Sequence, residues 1–162
     1  MKNSSVRPTD DIEKLLNKYG DMLFRICMVI LGDSHDAEDV IQDTMMKYWR
    51  KAPCFRDENH EKAWLIAVTS NGCRDLLRYR KRHQSESLDN IEQAEQKTEG
   101  SGILEALQKL PEKYRLVLTL HYVEGYRVEE IANMIGKSSS AIKMRLQKGR
   151  RLLEEVYRKE YM

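Results

Sequence analysis

Two short helical patterns joined by a turn constrain the fold of this chain more than any other feature. They occupy residues 128–136 and 141–151, in the last third of the sequence. Gly136 suits the left-handed backbone position that ends a helix, and Ser138 or Ser139 can accept a hydrogen bond from the free amides that begin the next one. The spacing therefore predicts a helix-turn-helix.

The second helix of this motif is strongly basic. Six lysines and arginines, and no acidic residue, lie between Lys137 and Arg151. A helix that is only solvated usually carries charges of both signs, whereas a helix placed in the major groove faces a polyanion. The charge asymmetry favours DNA binding over the alternative, a solvated basic helix in a bundle.

The remaining sequence predicts only helices. Apolar residues recur at helical spacing, and three prolines and eight glycines in 162 residues leave room for long helices. The expected fold class is therefore all-α. We expect five helices before the helix-turn-helix, over residues 10–31, 36–52, 61–83, 103–110 and 111–124.

The helices are expected to form two small domains joined by a flexible acidic linker. Residues 9–84 would form the first domain and residues 103–160 the second. The linker, residues 85–102, carries five acidic residues against one lysine and only three apolar side chains. Such a segment cannot bury enough apolar surface to offset the entropy of ordering it.

Charge is segregated along the chain, although the net charge is only +2. Residues 33–43 hold five acids and no lysine or arginine, while residues 74–82 hold five lysines and arginines and one acid, Asp75. A chain with one acidic and two basic surfaces is expected to meet both a basic partner and a polyanion.

The acidic surface is expected to dock a protein. Carboxylates next to adaptable methionines and Trp49 suit a partner with basic side chains. The alternative is that acids simply favour a helix N-terminus, which accounts for Asp36 and Asp39 better than for Gln42 and Asp43.

The first basic surface lies on the third predicted helix. Asn71, Arg74 and Arg78 share one face, where they suit phosphate and base contacts. The alternative is a solvated helix end, because cations also complement the helix dipole. In the preceding loop, Phe55 can stack on an unpaired base; alternatively Phe55 and Trp64 close the bundle core, and for Trp64 we favour core packing.

No motif of a catalytic or metal site occurs. The sequence has no phosphate-binding glycine loop, and its three cysteines and four histidines show no ligand-like spacing. We therefore expect no enzymatic activity, no metal and no cofactor. A polar N-terminus and the lack of a long apolar run predict a cytoplasmic protein that is not inserted in a membrane.

Four stretches in order resemble an extracytoplasmic-function (ECF) sigma factor of the sigma-70 family, over about residues 10–156. Each stretch is only moderately specific, but their order around an acidic linker is very specific. They are DAEDVIQD at 36–43 with YW at 48–49, WLIAVTSN at 64–71 with the basic tail to Arg82, LPEKYR at 110–115 with YVEG at 122–125, and EEIA at 129–132 with KMRL at 143–146.

The resemblance implies a role for each candidate residue. A polymerase-binding set would dock on the clamp helices of the largest subunit of core RNA polymerase: Asp39, Gln42, Asp43 and Trp49. A second set would read and melt the minus-10 element: Phe55, Asn59, His60, Asn71, Arg74 and Arg78. A third set would read the minus-35 element: Arg127, Ser139, Ser140, Lys143, Arg145, Gln147, Lys148 and Arg151.

The resemblance also implies partners. These are core RNA polymerase, through its clamp helices and flap, promoter DNA, and a membrane-anchored anti-sigma factor that holds the protein inactive. Two rival functions stay open: a stand-alone helix-turn-helix regulator that never enters polymerase, and a DNA-processing enzyme that uses the same DNA-reading helix.

Three residues depart from the family pattern. Arg127 stands where a capping Ser or Thr is usual, which weakens the cap and can add a phosphate contact. Gly72 lies inside the third helix, where it costs about 1 kcal/mol relative to Ala unless it permits a bend or the close approach of a neighbour. Asp75 interrupts the basic face.

Overall fold

The computed structural model describes residues 9–84 and 102–161, and all the regular structure in these ranges is helical. This confirms the all-α prediction. A π-helical turn, Thr119–Val123, follows the fifth helix. The α-helices are α1 Thr9–Leu31, α2 Ser34–Lys51, α3 Glu58–Gln84, α4 Gly102–Gln108, α5 Glu112–Leu118, α6 Val128–Ile135 and α7 Ser139–Tyr161.

Helices α1, α2 and α3 pack around a common core. Its centre consists of fully buried aliphatic side chains, among them Leu23 and Ile26 of α1 and Leu65 of α3. Two buried hydroxyls join α2 to α3: Thr69 donates to the Thr44 hydroxyl at 3.2 Å, and Thr44 donates to the Val40 carbonyl at 2.9 Å. These bonds satisfy groups that would otherwise be costly to bury.

Local capping sets where the helices begin and end. Gly32 ends α1 with φ +71°, as its position in the sequence predicts. The Asp33 carboxylate accepts a hydrogen bond from the Asp36 amide at 3.0 Å, so α2 begins at Ser34, two residues before the predicted start. Helix α3 likewise begins three residues before the predicted start.

The helix-turn-helix forms as predicted. Gly136 ends α6 with φ +68°, and the Ser138 hydroxyl accepts a hydrogen bond from the Ala141 amide at 3.1 Å. Fully buried Ile131 and Ile142 hold the two helices together. Ile103, near the start of α4, is 51% exposed.

Two glycines permit close helix packing. A Cβ at Gly72 would lie 3.1 Å from Val40 Cγ1, so Gly72 serves the close approach of α2, one of the two predicted alternatives. A Cβ at Gly149 of α7 would lie 3.2 Å from Leu118 Cδ1 and 3.4 Å from Tyr114 Cβ. Here α7 crosses directly over α5.

The second group of helices, α4–α7, lies against the first. Helix α1 contacts α4 and α5, and α3 contacts α6. The buried side chains of both groups form one continuous cluster. The predicted linker lies outside the described residues, apart from Gly102, which begins α4, so the domain boundaries stay a prediction.

None of the described helices combines the length and the apolar character that crossing a bilayer requires.

Filling the space at Gly149 tests the packing of α7 on α5. We expect Gly149→Leu to lower the free energy of unfolding by about 1–3 kcal/mol, because the added side chain must displace Leu118 and Tyr114. Glu155→Leu, at an exposed site on the same helix, is the control. Equal denaturant midpoints for the two variants would contradict this packing.

Candidate nucleic-acid and polymerase interfaces

The acidic face that the sequence predicts on α2 is exposed. Asp39, Gln42 and Asp43 are all exposed, and Met46 next to them is 38% exposed. Trp49 is half-buried. A protein partner can therefore reach three of the four predicted polymerase-binding side chains fully and the fourth in part.

Asp36 has a structural role and is not part of the exposed acidic face of α2. It is 8% exposed and forms an ion pair with Arg80 near the end of α3. Arg80 is one of the five lysines and arginines at residues 74–82, so its pairing with Asp36 makes the basic face narrower than predicted. Because the two residues are 44 positions apart in sequence, no local pattern reveals their pairing.

Phe55 lies in an aromatic cluster at the start of α3. Its ring stacks on Tyr48 with centroids 6.0 Å apart and meets Trp64 edge to face at 5.9 Å. Both Phe55 and Trp64 are half-buried and pack against the core. These contacts favour the packing alternative for both residues, while the base-holding role of Phe55 stays a prediction.

Asp57 and His60 order the segment around Phe55. The Asp57 carboxylate accepts a hydrogen bond from the His60 amide at 2.8 Å, which caps α3. The His60 ring accepts one from the Arg56 amide at 3.1 Å through Nδ1. Asn59 and His60 therefore lie in the first turn of α3, not in the loop as predicted, and Asp57 is a positioning residue that the sequence analysis missed.

Asn71, Arg74 and Arg78 follow one another along α3, as their spacing predicts. Arg74 donates a hydrogen bond to the Asn71 side chain, and Arg78 lies 3.9 Å from the Asp75 carboxylate. Asn71 and Arg78 are exposed and Arg74 is half-buried. Asn71 lies eleven positions after His60, about 17 Å along the helix, so the predicted minus-10 residues occupy two separate parts of α3.

Helix α7 presents most of the predicted minus-35 set to solvent. The exposed members are Ser140, Lys143, Gln147, Lys148 and Arg151. Ser139 and Arg145 are half-buried. Met144 is 70% exposed and lies between Lys143 and Arg145 in the sequence of this helix.

Glu130 compensates in part for the missing cap at Arg127. Its carboxylate accepts hydrogen bonds from the backbone amide and from the guanidinium of Arg127, both at 3.1 Å. These bonds, the amide first, lower the pKa of Glu130. Since the Arg127 side chain is 82% exposed, it remains in reach of a phosphate.

No group of three or more metal-ligating side chains occurs within residues 9–84 and 102–161. Cys27 and Cys73 are buried in the first core, with their sulfurs 3.6 Å apart. Their contact, followed by burial, raises the pKa of the Cys73 thiol, so this pair is suited to packing rather than to ligation.

Two family profiles match the chain in separate segments that together cover well over half of it. Sigma-70 region 2 matches residues 15–83, and Sigma-70, region 4 matches residues 102–153. The ECF RNA polymerase sigma factor SigE of Mycolicibacterium smegmatis is 27% identical over an alignment of 159 residues, which covers 91% of this chain and 62% of that protein. The ECF RNA polymerase sigma factor SigW of Bacillus subtilis is 26% identical over 92% of this chain and 90% of its own length.

The chain belongs to the sigma-70 family, as a member of the ECF group. Solved structures with the same fold include the sigma factor RpoE in complex with the anti-sigma factor NepR from Bartonella quintana. It has TM-score 0.74 and 23% identity, over 93% of this ECF chain and 98% of that one. CnrH in complex with the cytosolic domain of CnrY has TM-score 0.69 and 23% identity, over 94% and 91%.

Removing the cap of α3 tests the role of Asp57. We expect Asp57→Ala to lower the free energy of unfolding by about 1 kcal/mol, because the His60 amide loses its acceptor. Asp57→Asn keeps an acceptor and should recover most of that loss in chemical denaturation. If the Ala and Asn variants are equally stable, the carboxylate does not cap α3.

Proposed function

We propose that this ECF sigma factor directs core RNA polymerase to specific promoters, as a cytoplasmic initiation factor rather than an enzyme. The observation that carries the proposal is the separation of charge on a sigma-70 fold. An acidic face on α2 and basic faces on α3 and α7 lie on three different helices. One molecule can therefore hold a basic protein surface and two DNA segments at once.

The acidic face of α2 is proposed to dock on the clamp helices of the largest polymerase subunit. Asp39 and Asp43 are one helical turn apart and both exposed, so the same partner surface can meet both. Met46 supplies adaptable apolar contact beside them. Charge complementarity of this kind steers association and fixes orientation.

Helix α3 and the segment before it are proposed to read and melt the minus-10 element. The exposed Asn71 amide suits a base edge, and the Arg78 guanidinium suits a phosphate. Asn59 and His60 lie near the aromatic cluster at the other end of the contact surface. Aromatic and amide groups together suit an unpaired base.

Helix α7 is proposed to enter the major groove at the minus-35 element, with α6 as its supporting helix. Lys143 and Gln147 lie one turn apart and exposed near the start of α7, where a recognition helix meets base edges. Lys148 and Arg151 lie further along and suit phosphates. We also propose that the second group of helices, α4–α7, contacts the flap of core RNA polymerase.

An anti-sigma factor is the proposed regulator. The sigma factors RpoE and CnrH, which share this fold, form complexes with NepR and with the cytosolic domain of CnrY. A membrane-anchored partner is proposed on the ground of membership of the ECF group. No cofactor is proposed.

Transcription from a promoter of the organism's own genome tests the proposal. With purified core polymerase we expect run-off product only when the protein is present. Asp39→Ala/Asp43→Ala should weaken core binding more than tenfold, since interface charge pairs are worth about 1.5 kcal/mol or more each. Glu13→Ala/Asp21→Ala, which removes two exposed acids from α1, is the matched control and should behave as wild type.

One outcome of this experiment would contradict the proposal and favour the rival function. A wild-type protein that never associates with core polymerase, yet shifts promoter DNA alone, is a stand-alone regulator.

The salt dependence and sequence dependence of DNA binding distinguish the residues of α7 that read bases from those that contact phosphates. We expect Lys148→Ala to weaken holoenzyme binding equally on matched and scrambled minus-35 DNA, and to reduce the salt slope by about 0.9. Lys143→Ala should instead reduce the discrimination between those DNAs, by about 1–3 kcal/mol. Lys159→Ala, exposed on the last turn, is the control. If Lys143→Ala and Lys148→Ala have the same effect on both DNAs, the assignment is wrong.

A further inference from the structure

Four buried side chains of α2 follow one another at intervals of about one helical turn, and all of them contact α3. They are Asp36, Val40, Thr44 and Tyr48. None of the four is more than 8% exposed. Residues four apart lie on one face of a helix, so these side chains form a continuous line along the buried side of α2, which we call the contact stripe.

Each member of the contact stripe meets a different part of α3. The partners of the four side chains, in the order just given, are Arg80, Gly72, Thr69 and Glu61. Because the residue numbers rise along α2 while they fall along α3, the two helices run antiparallel. The stripe extends from residue 36 to residue 48, which is about 18 Å of helix.

Three of the four contacts are polar and therefore directional. The ion pair between Asp36 and Arg80 closes one end of the stripe. At the other end the Tyr48 hydroxyl donates a hydrogen bond to Glu61 at 2.8 Å. Apolar packing has no direction, whereas a displaced helix would leave buried polar groups without partners. The polar contacts therefore favour a single register of α3 on α2.

The centre of the stripe is its most buried part. The Thr69 hydroxyl donates a hydrogen bond to the Thr44 hydroxyl at 3.2 Å, and both residues are at most 1% exposed. Next to them a Cβ at Gly72 would lie 3.1 Å from Val40 Cγ1, so the helix backbones approach closely here. Close packing and a buried hydrogen bond together leave α3 little freedom to slide.

The register matters because both helices expose their proposed functional residues away from the stripe. Helix α2 exposes Asp39 and Asp43, and α3 exposes Asn71 and Arg78. One helical turn is about 5.4 Å long, and successive nucleotides of a DNA strand are about 3.4 Å apart. A displacement of one turn between the helices would thus move the DNA-reading face by about 1–2 nucleotides relative to the docking face.

Resting on the proposed function, we propose that the contact stripe positions the minus-10 reader and thereby sets the transcription start site. Core polymerase holds α2, and the stripe holds α3 on α2 in one register. The minus-10 element is therefore kept at a fixed distance from the catalytic centre of the polymerase. Asp36, Thr44 and Tyr48 are positioning residues, which act through α3 rather than by touching DNA.

Mapping the 5′ ends of run-off transcripts tests the ion pair of the stripe. Wild-type holoenzyme should start at one principal position. Asp36→Arg places two cations at the end of the stripe, and Arg80→Asp places two anions there, so that like charges repel α3 from α2. Each should shift or spread the starts by about 1–2 nucleotides. The double swap, Asp36→Arg/Arg80→Asp, should restore the wild-type position.

The threonine pair tests the centre of the stripe without leaving a buried group unpaired. Thr44→Val/Thr69→Val removes both hydroxyls and keeps the shape of the contact, so its denaturant midpoint should stay close to that of the wild type. We expect its start sites to spread all the same. Altered starts in a stable variant distinguish positioning from a general loss of stability.

Matched controls account for net charge and for stability. Glu13→Arg changes the net charge as Asp36→Arg does, and Lys159→Asp changes it as Arg80→Asp does, both at exposed sites outside α2 and α3. Ile26→Val lowers stability by removing a buried methyl group from α1. All three controls should keep the wild-type start position, even where the amount of transcript falls.

The positioning proposal is wrong if the charge variants and the threonine variant start where the wild type does, or if Ile26→Val shifts the starts as they do. The same experiment keeps this proposal apart from the proposed function. If wild-type protein yields no transcript with core polymerase, the proposed function has failed and the positioning proposal falls with it. If wild-type protein does yield a transcript, but the stripe variants leave its start unchanged, only the positioning proposal has failed.

Discussion

The packing of α1 against both groups of helices is the constraint on which the rest of the structure depends. Its side chains Leu23, Ile26 and Ile30 are buried almost completely against α2 and α3. Further around the same helix, contacts with α4 and α5 extend the core into the second group. A helix that is apolar on so much of its surface needs neighbours on several sides. Helix α1 therefore determines where the acidic and basic faces can lie.

The charged faces lie on helices whose opposite sides are packed into the core. Val40 and Thr44 anchor α2 while Asp39 and Asp43 point away from the core. Ile142 and Leu146 anchor α7 in the same way, and Lys143 and Gln147 face outward. Rigid helices hold binding groups in fixed positions more accurately than loops do. A protein that must match two DNA elements to one polymerase benefits from that accuracy.

Features set by neighbouring residues could be predicted from the sequence, and features set by distant residues could not. The turn of the helix-turn-helix follows from Gly136 and Ser138, whose backbone preferences are local. The pairing of Asp36 with Arg80 and of Arg25 with Glu124 joins residues far apart in the chain. The helical spacing of apolar residues does not predict such contacts, because it identifies the buried face of a helix but not the residues that pack against that face.

Simultaneous contact with two promoter elements is the central claim, and a footprint of one promoter tests it most directly. Nuclease protection and permanganate reactivity would be measured with the protein, with core polymerase, and with both together. We predict two protected stretches, with reactive unpaired thymines in the downstream one, only when both are present. Protection of the upstream stretch by the protein alone, with no reactive thymines after core polymerase is added, would contradict it.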